Sequence, residues 1–472
     1  MGSKLVCTYN PAHLNFHAND IEFVGYYNRQ IILFDMKRAK YQSSFKEFNL
    51  PNRTLQIANS SYELHEFYER YKHLPNVAVD IEAGGHCVPI CIGLSFVKHH
   101  GITIPLWNSD GISSIPDSEL VACWTLLAKI LNEKGVIGQN FNYDKDKIRR
   151  LGFMVPNVYS DTMLKAFAIN PELPKGLGFN TSIYTEEPYY KDEGMYQGSY
   201  KDLFIGCARD SCVTKEIDDA MELDLIELEQ KDFYYNFLMK LPPIYLSIEN
   251  LGFRIDTARR EELLAKYIKW DERLRYELFH LVGDEVNVNS PKQIALLLFE
   301  NFKLPIKKGT GEEELTALLN SPKVKDETHR RAIELILEAR RVRKSISTYL
   351  MAMPDFDGRM RTTYFLCLET GRTSSGQQDP PIRPTVEVID EHGKKKKKVL
   401  GIAFQTMTKH GDIGADIRSQ YVPDEGEIFV QADSSQAEAR VVALLADDED
   451  TLRLYDNNDV HALTASWFFG GS

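Results

Sequence analysis

The stretch NVAVDIE, residues 76–82, decides how the N-terminal half of this chain is read. Val77, Ala78 and Val79 give it the apolar run of a strand buried in a sheet, and it ends in two carboxylates. Asp80 and Glu82 lie two apart, so in a strand both side chains point to one face. Like charges on one face at the end of a buried strand are costly, and a divalent cation relieves that cost. Carboxylate oxygens suit Mg²⁺ or Mn²⁺. For an isolated Asp-x-Glu, a strand end at the surface is the plainer reading, so the neighbouring sequence has to decide.

Working outward, PICIGLSFV (89–97) and ITIPLW (102–107) read as two further strands, with turns at the flanking GG and HHG. SELVACWTLLAKILNEKG (118–135) has the periodicity of an amphipathic helix, with Gly135 as its C-cap. VIGQNF (136–141) reads as a short strand opening into a helix. Upstream, IEFVGYY and IILFDM, within residues 21–36, read as paired strands, and SYELHEFYERYK (61–72) as a short helix. The sum is an α/β domain ending near residue 220. Two more segments offer carboxylates to it. In GQNFNYDKDKI (138–148), Asn140 and Asp144 are four apart and share a helix face, although Asn140 also suits an N-cap. In FIGCARDSCVTKEIDD (204–219), Asp210 falls on a short helical stretch before a strongly helical one.

The chain has 472 residues, more than the roughly 250–300 that one core supports, so two or three domains are expected. Residues 221–350 read as an elongated helical domain. Its segment HRRAIELILEARRVRKSIS (329–347) is locally basic, either as a solvated helix face or as phosphate contacts. Residues 351–472 turn to strands: MRTTYFLCLETG, PTVEVID, KVLGIAFQ and EIFVQAD. EIFVQAD delivers Asp433, a plausible metal ligand at a strand end, and Ser434 and Ser435 could cap the following helix, SSQAEARVVALLADDEDTLRLY. VEVI and VLGI flank a turn with five lysines, Lys394 to Lys398, which reads as a protruding hairpin with a lysine-rich tip. The net charge is −12, which does not favour nucleic acid as a partner but does not exclude it, because local charge decides binding. Seven scattered cysteines with no CxxC pair argue against a zinc site and for reduced thiols in the cytoplasm. No apolar leader opens the chain and no run of 18 apolar residues suggests a membrane span.

Taken together, DxE, NxxYD and a later Asp resemble the DEDD-type 3′–5′ exonucleases, and DTMLKAFAINPELPKGLGFNTSIYTEEPYYKDEG (161–194) is similar to the proofreading domains of phage family A DNA polymerases. The resemblance implies a metal-binding quartet of Asp80, Glu82, Asp144 and Asp210, with Asn140 on the DNA, and Asp161 and Thr162 behind the ligands. It implies two Mg²⁺ or Mn²⁺ ions per active site, an activated water and a single-stranded 3′ end as substrate. One position departs: Gly206 stands where the family has a Tyr or His that orients the attacking water, which implies a weakened exonuclease unless a group such as Tyr200 substitutes.

The C-terminal part resembles motif A of family A DNA polymerases: DxSQxExR at 433–440, then ALLADDED, then DVHALTASWFFG. That resemblance implies Asp433 as a catalytic metal ligand, Glu438 as the gate against a 2′-OH, Arg440 as a support of the site and His461 near the triphosphate of a dNTP. ETGRTSS, AFQTM and DIRSQYV place Arg372, Gln405 and Arg418 as DNA contacts, and Lys344 with its neighbouring arginines as phosphate contacts.

The implied architecture is an RNase H-like α/β exonuclease domain at 1–220, a mainly helical thumb at 221–350 and the first, incomplete α+β part of a polymerase palm at 351–472. The family's fingers helix and its His-Asp-Glu motif do not appear in the sequence. Polymerisation on a DNA primer-template is therefore expected only with a missing C-terminal part or a second polymerase chain. The alternatives are a stand-alone 3′–5′ exonuclease and a non-catalytic DNA-binding subunit. The expected location is the cytoplasm, that of a bacterial host if the chain is phage-encoded.

Overall fold

The computed structural model describes residues 22–84, 88–107, 112–113, 115–188, 199–305, 309–376, 385–389, 395–399, 401–409, 411–457 and 460–470. The chain divides after Tyr421 into two compact units, Met1–Tyr421 and Val422–Ser472.

The first unit begins with helix α1 (Glu22–Gln42), where the sequence suggested two strands. The run EFVGYYNRQIILFDMKRAKYQ is continuous, with no turn residue pair to reverse the chain. Then come β1 (Thr54–Ile57), α2 (Ser61–Tyr71), β2 (Asn76–Ala83), β3 (Pro89–Val97), β4 (His100–Pro105), α3 (Asp117–Glu133), β5 (Gly135–Gly138), α4 (Asn142–Arg150), β6 (Val158–Asp161), α5 (Thr162–Ile169), α6 (Leu177–Tyr184) and α7 (Tyr200–Glu227). Gly135 does not cap α3. The cap is Lys134 in an extended conformation, and Gly135 already belongs to the next strand. The six strands form one mixed sheet in the order β1-β4-β3-β2-β5-β6. β3 runs antiparallel to both β2 and β4, whereas β5 is parallel to β2.

The strand period of two divides the sheet into faces. Val77, Val79, Ile81, Ile92, Leu94, Phe96, Ile102 and Ile104 point into a core shared with Leu64, Phe67, Leu127 and Ile130 of α2 and α3. Asp80, Glu82, Cys91 and Gly93 alternate with these residues and occupy the other face, where Asp80 pairs with Gly93 and Glu82 with Cys91 across β2 and β3. Helix α7 lies on that face. A Cβ at Gly93 would stand 2.5 Å from Ser211 Oγ and 2.6 Å from the Cys207 carbonyl oxygen. One at Gly101 would stand 2.5 Å from the Ala208 carbonyl oxygen. Two glycines on the sheet and a small-residue face on the helix thus allow a backbone approach that larger side chains would block.

At the sheet edge, the His100 ring is buried between Tyr71 Oη at 2.9 Å and Gln56 Oε1 at 2.7 Å. Burial lowers its pKa to about 4.

Beyond α7 the unit is helical: α8 (Lys231–Asn236), α9 (Leu241–Leu251) and, after the short strand β7 (Phe253–Ile255), α10 (Thr257–Val282), α11 (Pro291–Ala295), α12 (Glu312–Leu319) and α13 (Glu327–Lys344). Leu263, Tyr267, Leu274, Ile333, Ile336 and Val342 are part of one core that joins these helices. The arginines of α13 are largely spent within the protein. Arg330 and Arg340 donate to backbone carbonyls, while Arg331, Arg341 and Arg343 pair with Glu277, Glu312 and Asp271. The basic patch expected from sequence is therefore partly engaged: Arg330, Arg340 and Arg343 are partly buried in their contacts, while Arg331 and Arg341 make surface ion pairs and Lys344 is exposed.

The unit continues through β8 (Arg359–Met360), β9 (Thr363–Phe365), β10 (Ser374–Gly376), the antiparallel pair β11 (Thr385–Ile389) and β12 (Lys395–Val399), and α14 (Gly411–Ser419). Lys395 to Lys398 lie in the strand β12 and not at the hairpin tip, and the tip itself falls outside the described residues. The second unit contains α15 (Ala437–Leu445), α16 (Glu449–Asn457) and α17 (Val460–Phe469). EIFVQAD is not a strand. It is irregular and exposed, with Ile428 at 81% and Val430 at 83%, and among the described residues no strand pairs with it. The long helix expected after it is broken near Asp447, whose φ is +54°. Among the described residues no helix is long and apolar enough to cross a membrane.

Two outcomes are expected. Gly93→Val would overpack the α7 contact and cost about 1–3 kcal/mol, visible as a lowered Tm. The His100 pKa is lower in the folded chain than the usual 6.5, so the unfolded chain binds the extra proton between pH 6.5 and about 4. Stability is then complete above pH 6.5 and falls as pH drops towards 4. His100→Gln would flatten that part of a Tm-versus-pH curve.

Candidate metal centre

Asp80, Glu82 and Asp210 converge. One carboxylate oxygen from each lies within 4.8 Å of the other two, and among the described residues this is the one group of three or more such side chains with that geometry. Asp80 and Glu82 come from the same face of β2, and Asp210 from the α7 turn that lies over Gly93. Asp210 is on a single 28-residue helix rather than on a separate short one. That helix starts with a capping box in which Ser199 accepts from the Asp202 N–H and Asp202 accepts from Ser199. Oxygen-only donors at this spacing fit a hard divalent cation, so the residues present match the Mg²⁺ or Mn²⁺ expected.

Asp144 sits in the first turn of α4 and is buried, but it is not part of that group. Burial pushes its carboxyl well above the usual range, Lys147 opposes this, and the Asp161 and Glu82 charges add to it. Asn140 does not share the Asp144 helix face. It precedes α4 in a left-handed conformation, φ +55°, and neither it nor Phe141 gives the helix a side-chain cap. Asp161 organises this turn. Its carboxylate accepts from the N–H groups of Asn140 at 3.0 Å and Phe141 at 2.8 Å, and from Met163 and Leu164 at the start of α5. Burial raises the Asp161 pKa against those four bonds. Thr162 is buried and its hydroxyl donates to the Gly138 carbonyl.

Behind Asp161, Tyr234 Oη lies 2.8 Å from the Asp161 N–H and 2.9 Å from Ser160 Oγ. Ser160 in turn donates to Asp218, and fully buried Lys165 bridges Asp218 at 2.7 Å and Glu222 at 2.9 Å. Burial raises the Glu222 pKa, but bonds from Lys231, Tyr235 and Lys165 outweigh it and bring it to about 2. This network was not read from the sequence, because its members are spread from residue 160 to 235 with no local pattern. Nor were the buried thiols beside the carboxylates. Cys91 pairs with Glu82 in register, and Cys207 Sγ lies 3.6 Å from the Asp80 carbonyl oxygen, its pKa pushed well up by burial. Gly206, the position that departs from the exonuclease pattern, is buried in α7, and Tyr200 packs edge-on against Phe204.

The polymerase-like residues are divided between the two units. Gln405 is tied to the Arg372 segment: its N–H donates to Ser375 Oγ at 2.9 Å and its side chain to Thr373 Oγ1 at 3.0 Å. Arg372, Lys344 and Arg418 are exposed. In the second unit, Asp433 is exposed in irregular chain and Glu438 is exposed in the first turn of α15. Gln436, not Ser434 or Ser435, is the N-cap of α15, and it makes no capping bond because its φ of +53° is left-handed. Arg440 clasps α15 to α16 through Asp456 at 2.6 Å and the Tyr455 carbonyl. His461 lies on α17, and its side chain falls outside the described residues.

Comparison with known proteins adds to this geometry. Residues 258–472 match the model of DNA polymerase family A. DNA polymerase I of Borreliella burgdorferi is 24% identical over 95% of this chain and 49% of its own length. DNA polymerase I of Bacillus subtilis is 27% identical over 98% of the chain and 51% of its own length. The Caldicellulosiruptor bescii DNA polymerase I is 31% identical over 52% of the chain and 27% of its own length. The chain thus spans about half or less of the curated relatives it matches. The POL domain of Pol1 from M. smegmatis, solved with DNA primer-template and dNTP, superimposes with a TM-score of 0.67 at 18% identity, over 87% of this chain and 66% of that one. The chain is thus similar in sequence to the family A DNA polymerases over residues 258–472, and over most of its length it shares the fold of a solved polymerase domain.

Proposed function

We propose that this chain is the N-terminal part of a family A DNA-directed DNA polymerase that carries a metal-dependent 3′–5′ proofreading exonuclease. The observation that carries the exonuclease reading is the convergence of Asp80, Glu82 and Asp210 on one point. Residues 1–220 form the DEDD-type, RNase H-like exonuclease domain, 221–350 the thumb and 351–472 the start of the palm. The substrates are single-stranded 3′ ends and, for the palm, a primer-template, in the cytoplasm of the cell or of a bacterial host.

In this reading Asp80, Glu82 and Asp210 hold the cation. When bound, the divalent cation activates water and stabilises the departing 3′-oxygen. Asp144 completes the negative field that localises it, and the left-handed turn at Asn140, pinned by Asp161, presents Asn140 to the strand end. Gly206 has no side chain with which to orient water, so hydrolysis is slower than with a Tyr or His there. For polymerisation, Asp433 supplies one catalytic carboxylate, Glu438 excludes a 2′-OH and His461 approaches the dNTP. Lys344, Arg372, Gln405 and Arg418 hold the DNA.

A second catalytic carboxylate and positive charge on the triphosphate are required for nucleotide addition, and this chain presents neither motif. The second unit exposes Ile428, Val430, Leu445 and Phe469. An apolar surface of this kind is what a complementary fingers-and-palm segment, in the same or a second chain, would cover. A stand-alone exonuclease is the second reading, favoured by the intact carboxylates.

The test is a 5′-labelled primer-template with Mg²⁺, with and without dNTPs. The expected result is a ladder shortening from the 3′ end that dNTPs do not lengthen. Asp80→Ala should slow it by about 100-fold or more, because loss of a ligand outweighs the roughly 10–100-fold that outer partners command. Primer extension by this chain alone would refute the need for a further segment, and shortening unaffected by Asp80→Ala would refute the assigned site. Supplying the C-terminal part of the polymerase as a separate chain should restore extension, lost in Asp433→Ala.

A further inference from the structure

A buried chain of hydrogen bonds reaches the Asn140 turn from outside the segment that ends at residue 220. Tyr234 lies on α8 and is fully buried. Its Oη accepts from the Asp161 N–H at 2.8 Å, and lies 2.9 Å from Ser160 Oγ and 3.1 Å from the Asp161 carbonyl oxygen. Ser160 gives its hydroxyl proton to Asp218, which Lys165 pairs at 2.7 Å. Ser160 therefore offers Tyr234 only a lone pair, and the phenol is the donor between them. The bonds thus run one way, from the Asp161 N–H through Tyr234 and Ser160 to Asp218 and its ion pair.

The other end of this chain fixes a strained turn. The Asp161 carboxylate accepts from the N–H groups of Asn140 at 3.0 Å and Phe141 at 2.8 Å. Asn140 has a φ of +55°, a conformation that residues other than glycine keep only where their surroundings impose it. Losing the phenol would take this acceptor from a buried N–H, and buried donors are costly to leave unpaired. The placement of Asp161, and through it that of Asn140, follows from the Tyr234 hydroxyl.

We propose that Tyr234 is a positioning residue for the 3′ end of the DNA strand: it holds Asp161, Asp161 holds the turn, and the turn presents Asn140. The strand-end site is then completed by a helix beyond residue 220. This inference rests on the exonuclease reading.

The test uses the full chain, a 5′-labelled single-stranded oligodeoxynucleotide and Mg²⁺. Tyr234→Phe removes only the hydroxyl and keeps the ring in its core with Leu164, Phe167 and Leu225. It should raise KM about tenfold, the size of one lost buried hydrogen bond, and leave kcat and the half-saturating Mg²⁺ concentration within about twofold. In an Asn140→Ala background the same substitution should raise KM by less than about twofold, because both changes act on one contact. A lowered Tm with unchanged KM overturns the proposal, since the hydroxyl is then merely structural. An undiminished rise of KM in the Asn140→Ala background overturns it as well. So does a fall in kcat with a higher Mg²⁺ requirement, which would direct the hydroxyl to Asp210 through α7 instead. Shortening that is absent in wild type, or indifferent to Asp80→Ala, overturns the exonuclease reading and the role of Tyr234 with it. If Tyr234→Phe does not fold, Ser160→Ala, which removes the acceptor of the phenol proton, takes its place in the same cycle.

Discussion

The close approach of α7 to the sheet is the contact on which the first unit depends. Gly93 and Gly101 leave room for the helix backbone, and Cys207, Ala208, Ser211 and Cys212 present small side chains in return. The result is local and geometric: a helix seated this low carries Asp210 down to β2, where Asp80 and Glu82 emerge on the same face. A single added methyl group at either glycine meets backbone atoms, which cannot give way as a flexible side chain would. The apolar core on the opposite face holds the sheet against α2 and α3.

Gathering carboxylates in a buried place is costly, and the fold meets the cost by different means at different residues. Asp161 is held by four backbone N–H groups and so ties the turn before α4 to the start of α5. Asp218 and Glu222 are paired with buried Lys165 in a network that also engages Ser160, Tyr234 and Tyr235. Such networks are specific only when every member is satisfied, and here they connect α5, α7 and α8 behind the carboxylate cluster. Asp80, Glu82 and Asp210 bring three carboxylates close enough together to share a divalent cation.

The helical part of the first unit shows the same economy with positive charge. Most of the arginines on α13 are committed to carbonyls and carboxylates of neighbouring helices, which makes them part of the scaffold that joins α10, α12 and α13. The second unit is the contrast. Its Arg440 clasp holds α15 to α16 and Ala443 is buried, but Ile428, Val430, Leu445 and Phe469 remain exposed.

Much of this was legible in the primary structure. The strand period of NVAVDIE put Asp80 and Glu82 on one face, and the helical period after residue 116 placed α3, because local periodicity is a property of the chain itself, whereas α7 was read as two helical stretches and is one. Misreadings arose where neighbours decide. The β-like run from residue 22 is a helix, the strand-like EIFVQAD is irregular with no strand paired to it among the described residues, and most of the α13 arginines pair with groups far along the chain. Sequence by itself determined which carboxylates could share a face and which segments resemble a polymerase. Only the tertiary structure decided that Asp210 comes within 4.8 Å of Asp80 and Glu82, because the distance from residue 210 to residues 80 and 82 is set by how closely α7 packs on the sheet, a quantity no local pattern encodes.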